Sequence, residues 1–159
     1  MKSVYDILSD LNISYVKHDH PAVFTVAESE AYDVQFEGVK TKNLFLTNKT
    51  GDAYYLLVVD AKTRVDVKKV TAFVNEQKLS FASPEKLFDY LELTPGSVSP
   101  FGLINDQEKV VTVLIDKSLM THDKIGFHPN ENTATLIITT SDFKKFLDAT
   151  GNKVFYLEV

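Results

Sequence analysis

The link Asn48-Lys49-Thr50-Gly51-Asp52 constrains this chain more than any other stretch. It stands between two apolar, strand-like runs, Lys42 to Asn48 and Ala53 to Asp60. A short polar link containing glycine folds one strand back on the next, so an antiparallel hairpin is expected near the middle of the chain. The entering strand grows out of Gly38-Val39-Lys40-Thr41-Lys42-Asn43-Leu44-Phe45-Leu46. Side chains alternate along a strand, which puts Lys42 on one face with Leu44 and Leu46. An ammonium above an aliphatic floor can hold its charge rigidly beside a pocket. Lys40 and Lys42 equally suit a solvated edge strand, where lysine discourages aggregation. Both readings stand on these residues alone.

Elements of both kinds surround the hairpin. Ser3 caps a helix with Val4, Ile7, Leu8 and Leu11 at helical spacing, and Asn12 suits its end. Ile13 to His18 reads as a short strand closed by His20-Pro21. Thr25 and Glu28 form a capping box that opens a helix from Val26 to about Tyr32. Asp66 to Val74 has helical periodicity, Leu79 to Ala82 is a brief strand, and Ser83-Pro84 opens a helix through Leu91. Thr94 to Gly102 is an irregular loop. Val110 to Asp116, Lys124 to His128, Thr133 to Thr139 and Val154 to Glu158 read as strands. Ser141 or Thr140 caps a last helix that runs to Ala149 and ends at Gly151. Strands and helices mix without strict alternation. The expected fold is α/β of the α+β kind: one domain over residues 1–159, with a mixed, largely antiparallel central sheet flanked by helices.

Composition narrows the function classes. A chain of 159 residues can bury a full core as one domain. With no cysteine there is no disulfide, thiolate nucleophile or Cys-ligated zinc. No apolar run approaches bilayer length, and Met1-Lys2-Ser3-Val4-Tyr5-Asp6 lacks the apolar core of a signal peptide, so a cytoplasmic protein without membrane contact is expected. Net charge is −5, unevenly spread: residues 38–80 carry eight basic against four acidic residues, a local +4, and the remainder carries −9. A basic middle in an acidic chain fits a local polyanion contact, and it fits solvated helix and strand faces as well.

Three places could hold chemistry. The loop from Gly96 to Gly102 has two glycines and two prolines, a composition that lets backbone N–H groups approach a ligand and stiffens them there; an ordinary connection has the same look. His18 and His20 share a strand face but have no acidic partners at ligand spacing, so they are expected at a strand end, facing solvent or packed against the Thr25 helix, and no metal is expected. His128 in Gly126-Phe127-His128-Pro129 stands at a strand end, where side chains often face a pocket. His122 has no motif around it. Nucleophile-elbow, Walker and dinucleotide signatures are absent.

Three segments in order, Gly38–Phe45, Pro95-Gly96-Ser97-Val98-Ser99-Pro100-Phe101-Gly102, and Gly126-Phe127-His128-Pro129-Asn130 with the Thr-rich strand after it, resemble the aminoacyl-tRNA deacylase superfamily. That superfamily includes the editing insertion domain of bacterial prolyl-tRNA synthetases, and the resemblance is nearest to its freestanding branch that removes alanine from mischarged proline tRNA. It covers nearly the whole chain. It implies a bacterial, cytoplasmic, trans-editing hydrolase without cofactor, whose partners are the acceptor end of aminoacylated tRNA and prolyl-tRNA synthetase. The family's essential lysine corresponds to Lys42 and its neighbouring asparagine to Asn43. The glycine-proline loop corresponds to Gly96, Ser97, Pro100, Phe101 and Gly102, and the pocket histidine to His128. Lys40, Lys62, Arg64, Lys68 and Lys69 would guide the tRNA. Residues near Phe24, Val26 and His128 would choose between alanine, serine and cysteine-like substrates. A noncatalytic tRNA-binding module of the same fold, a deacylase for another small amino acid, and an enzyme of free or D-amino acids are the alternatives.

Overall fold

The computed structural model describes residues 3–20 and 38–159. The hairpin forms its centre. β2 (Val39–Asn48) and β3 (Tyr54–Asp60) pair antiparallel, with Thr41 opposite Asp60 and Thr47 opposite Tyr54. Asn48 holds the turn: its Oδ1 accepts from the Asp52 and Ala53 N–H groups, and its Nδ2 donates to Asp52 at 2.6 Å. The remaining strands are β1 (Val16–Asp19), β4 (Leu79–Phe81), β5 (Val111–Asp116), β6 (Lys124–Phe127), β7 (Ala134–Thr139) and β8 (Val154–Leu157). Their order across the sheet is β1-β7-β6-β2-β3-β5-β8, and β4 also pairs with β2. Among the described residues β1–β7, β2–β3, β2–β4 and β6–β7 are antiparallel, while β2–β6, β3–β5 and β5–β8 are parallel.

Alternation along the strands sorts the core onto two faces. Val39, Phe45, Leu56, Val58, Val113, Ile115, Ile125 and Phe127 form the first, with α1 (Val4–Asp10), α3 (Pro84–Leu91) and α4 (Thr140–Thr150) packed on it. Leu46, Leu57, Val59, Leu114 and Leu157 form the second, where α2 (Val67–Phe73) packs through Val70. No helix among the described residues is long and apolar enough to cross a membrane.

Local chemistry explains the ends. Ser3 and Asp6 make a reciprocal capping box on α1, and Asn12 beyond its end takes φ 56°, which asparagine tolerates. Asp66 and Ser83 cap α2 and α3. Thr139, rather than Thr140 or Ser141, caps α4: its Oγ1 accepts from the Asp142 N–H at 3.0 Å, because β7 runs directly into the helix. The first strand starts at Val16, three residues later than the sequence suggests, since Ile13 is drawn into the core below α1. The loop expected from Thr94 to Gly102 ends in a 3-10 helix, Pro100–Asn105, capped by Ser99. The capping box at Thr25 and Glu28, and the helix expected after it, lie outside the described residues.

Candidate functional site

The feature that makes a site is a break in pairing along one edge of β2. Its start pairs with β6, Val39 beside Ile125 and Lys40 beside Gly126. Its end pairs with β4, Leu46 opposite Phe81 and Asn48 opposite Leu79. Between these two partners, from Thr41 to Leu44, no described strand pairs with this edge. Gly38 sets the approach on the β6 side: it has φ 120°, and a Cβ there would lie 2.9 Å from the Lys124 carbonyl oxygen.

The direction of each group at the opening follows from strand geometry. The Lys40 carbonyl accepts from the Ala61 N–H on the β3 side at 2.9 Å, and the Phe45 carbonyl accepts from the Ala82 N–H on the β4 side at 2.9 Å. Backbone groups alternate sides, so the Asn43 N–H and carbonyl point into the opening. Side chains alternate faces. Lys42 therefore rises from the second face with Leu44 and Leu46, as the sequence suggested, while Thr41 and Asn43 lie on the first.

His128 belongs to the Lys42 side. It follows Gly126 by two residues as Lys42 follows Lys40, and Lys40 and Gly126 are neighbours on parallel strands, so the two side chains flank the opening from the same face. Its Nδ1 lies 3.0 Å from the Ala134 carbonyl. A carbonyl only accepts, so Nδ1 carries a proton. His20 stands beside it, ring centroids 6.0 Å apart, with Nε2 bonded to Thr135 Oγ1 at 3.0 Å. The expectation that His20 merely ends a strand missed this contact, because Thr135 is 115 residues away in sequence. No group of three or more His, Asp or Glu among the described residues is placed to hold a metal ion.

The opposite face carries the glycine-proline loop. Phe101 is 0% exposed, and its ring meets Phe127 and Phe146 at centroid distances of 5.8 and 5.1 Å. Burying such a ring contributes about 1.5–3 kcal/mol, enough to anchor the loop. Gly102 is there because a Cβ would come 2.7 Å from the Leu93 side chain. Pro100 is buried and Ser97 turns inward, its Oγ donating to the Thr94 carbonyl at 3.0 Å. The side chains of Ser97, Pro100 and Phe101 are thus committed to the loop and core. Gly96 takes φ 94°, a left-handed conformation that glycine accommodates.

Four buried side-chain oxygens lack a hydrogen-bond partner among the described residues, those of Tyr5, Asn43, Asn130 and Asn152; of these, Asn43 stands on β2 at the opening, and Asn130 Nδ2 lies 3.5 Å from the Phe101 carbonyl. An unsatisfied buried acceptor costs about 1–3 kcal/mol. Asn130 was not singled out from sequence, where it reads as an ordinary turn residue.

Of the basic residues, Lys62, Arg64, Lys68 and Lys69 are exposed on the β3–α2 connection and the start of α2. Arg64 and Lys68 line a shallow groove of about 350 Å³ with Val65, Asp66 and Val67. Lys40 is half-buried on β2, on the Lys42 face. Phe24 and Val26 lie outside the described residues.

Residues 20–146 match the family model of the aminoacyl-tRNA editing domain. The chain is 38% identical over 152 residues to a prolyl-tRNA editing protein, ProX, of Acetoanaerobium sticklandii, covering 96% of this chain and 93% of that one. It is 33% identical over 151 residues to prolyl-tRNA synthetase associated domain-containing protein 1 of Danio rerio, covering 94% and 82%. Among solved structures, hypothetical protein APE2540 superposes with a TM-score of 0.75 at 18% identity over 96% of this chain and 97% of that one. A candidate trans-editing enzyme for prolyl tRNA synthetase superposes with a TM-score of 0.72 at 24% identity, covering 98% and 94%. At those identities the structural likenesses speak for the fold.

Proposed function

The chain belongs to the aminoacyl-tRNA editing family and is an aminoacyl-tRNA deacylase; we propose that it clears alanine from proline tRNA at the opening beside β2. The observation that carries this reading is the juxtaposition at that opening. Lys42 and His128 flank it from one face, the Asn43 backbone points into it, and the orphaned Asn43 Oδ1 lies on the other face.

An aminoacyl ester is already activated, so positioning and charge stabilisation suffice without a covalent nucleophile. Lys42 Nζ meets the terminal phosphate or the ester oxygens. The Asn43 N–H, with the backbone at Gly96, donates to the oxyanion as water adds to the ester carbonyl. Asn43 Oδ1 accepts from a ribose hydroxyl, which supplies the bond it lacks in the protein alone. The His128 ring shapes the pocket and holds the amino acid, and it is not the general base. The ester C–O bond breaks, and the free amino acid and the tRNA hydroxyl leave. A cytoplasmic site of action, with prolyl-tRNA synthetase as a partner, goes with this role.

Selectivity is proposed to be by size. A pocket that admits one methyl refuses the proline ring sterically, whereas rejecting a smaller or slightly larger group is worth only about 1–3 kcal/mol per methylene. A discharge panel tests this: alanyl-tRNA is cleaved, seryl- and cysteinyl-tRNA more slowly, and prolyl-tRNA is spared. Prolyl-tRNA cleaved as fast as alanyl-tRNA overturns the size sieve.

A further inference from the structure

We propose that Phe81 is an aromatic platform on which a base of the substrate's unpaired 3′ end stacks while its ester lies at Lys42. The inference takes the deacylase reading for the identity of the ligand and adds a nucleobase subsite to it.

Phe81 is the most exposed large apolar side chain among the described residues, at 71%. It closes β4, opposite Leu46 of β2, and it shares the parity of Leu79, which packs into the second-face cluster. Its ring therefore stands on the same face as Leu46, Leu44 and Lys42. β4 bounds one end of the opening and β6, with His128 beyond it, bounds the other. From Lys42 to Leu46 is four residues of β2, roughly 13 Å of strand. One face thus presents, in order, an amino-acid-holding histidine, an ammonium, an aliphatic step and an open aromatic ring. An aminoacylated 3′ end presents amino acid, ester and phosphate, and base in the same order.

A lone exposed phenylalanine is by itself ordinary on a protein surface. Charge decides what could cover this one. The segment that contains β2 and α2 is the +4 part of an otherwise acidic chain; Phe81 follows it directly in sequence, on the sheet face where α2 packs, with Lys78 exposed three residues before it. A polyanion that offers π-faces fits such a surface, as single-stranded nucleic acid does elsewhere on aromatic platforms in basic grooves.

The chain has no tryptophan, so Phe81→Trp installs a single tryptophan at the platform, read by excitation at a wavelength its tyrosines do not absorb. Titration with an unacylated minihelix ending in its unpaired 3′ nucleotides should quench that emission saturably, and a blunt minihelix should not. Phe81→Ala, folded by circular dichroism, should weaken minihelix binding and raise the KM for alanyl-minihelix about tenfold with kcat nearly kept. Phe81→Trp should restore both. Hydrolysis of alanine methyl ester, which has no base, should be unchanged in Phe81→Ala. A Phe81→Trp emission that stays constant while the minihelix binds overturns the proposal. So does an unaltered KM in Phe81→Ala, an equal loss on the baseless ester, or a dimer in sedimentation that Phe81→Ala dissociates. If the wild-type protein discharges no aminoacyl-tRNA, the deacylase reading fails, while quenching by the unacylated minihelix still decides the platform.

Discussion

At the scale of single residues, Lys42 is the clearest case of a side chain placed for something other than packing. It is half-buried, and it makes no ion pair among the described residues. Lys42→Ala should therefore leave the circular dichroism and melting temperature near wild type. Removing a preorganised charge from a transition state typically costs about 100- to 1000-fold in kcat, and a loss of that order is expected in a discharge assay on the same preparation. A folded variant with most of its activity would remove Lys42 from the mechanism. The facing of this residue was legible in the sequence because alternation needs only neighbours: Leu44 and Leu46 declare the face. The duties of Phe101 and His20 were not legible. Phe101 looks like part of a ligand loop until Phe127 and Phe146 close around it, and His20 looks solvent-facing until Thr135 and His128 arrive beside it.

At the scale of elements, nearly every strand and helix of the described residues could be read from caps, turns and periodicity, while the break in β2 could not. That break exists because one edge is shared by two partners, one from 79–81 and one from 124–127, and pairing between distant segments leaves no local mark. What the sequence did show was the hairpin, and the structure adds a polar brace behind it. Asn48 Nδ2 reaches Asp52 and, at 3.3 Å, Glu76 beyond α2, and Tyr55 donates to Glu76 at 2.7 Å. Burial, then the hydrogen bond to Glu76, pushes the Tyr55 phenol up to about 12 from its ordinary 10.0. The folded state thus keeps a proton that the unfolded chain loses near pH 10. Stability from this group is fully present below pH 10 and declines as pH rises towards 12. Chemical denaturation of wild type and Tyr55→Phe between pH 9 and 11 should show the wild type losing stability more steeply. Parallel slopes would mean that Tyr55 titrates alike in both states.

At the scale of the whole molecule, the fold divides labour between its two sheet faces. Among the described residues three helices pack on the first face and α2 packs on the second. Lys42, His128 and Phe81 all stand on the second face, and the exposed Lys62, Arg64, Lys68 and Lys69 border it at α2. An acidic protein that must bind a polyanion needs its positive charge gathered in one region, since a net charge of −5 spread evenly would repel the ligand. If these four residues guide the acceptor stem, replacing Lys68 and Lys69 with Gln should weaken whole-tRNA binding. It should also reduce the slope of log affinity against log salt by roughly 0.7–0.9 for each phosphate that is no longer neutralised. Turnover of a short aminoacylated 3′ fragment, which never reaches α2, should scarcely change. The double variant keeps α2, because Asp66 caps it through backbone N–H groups and Val70 anchors it, and neither depends on the lysine charges. An unchanged salt slope with weaker binding would show that the two lysines act through shape rather than charge. Equal losses on fragment and whole tRNA would place them at the pocket, leaving the stem to be held by another surface.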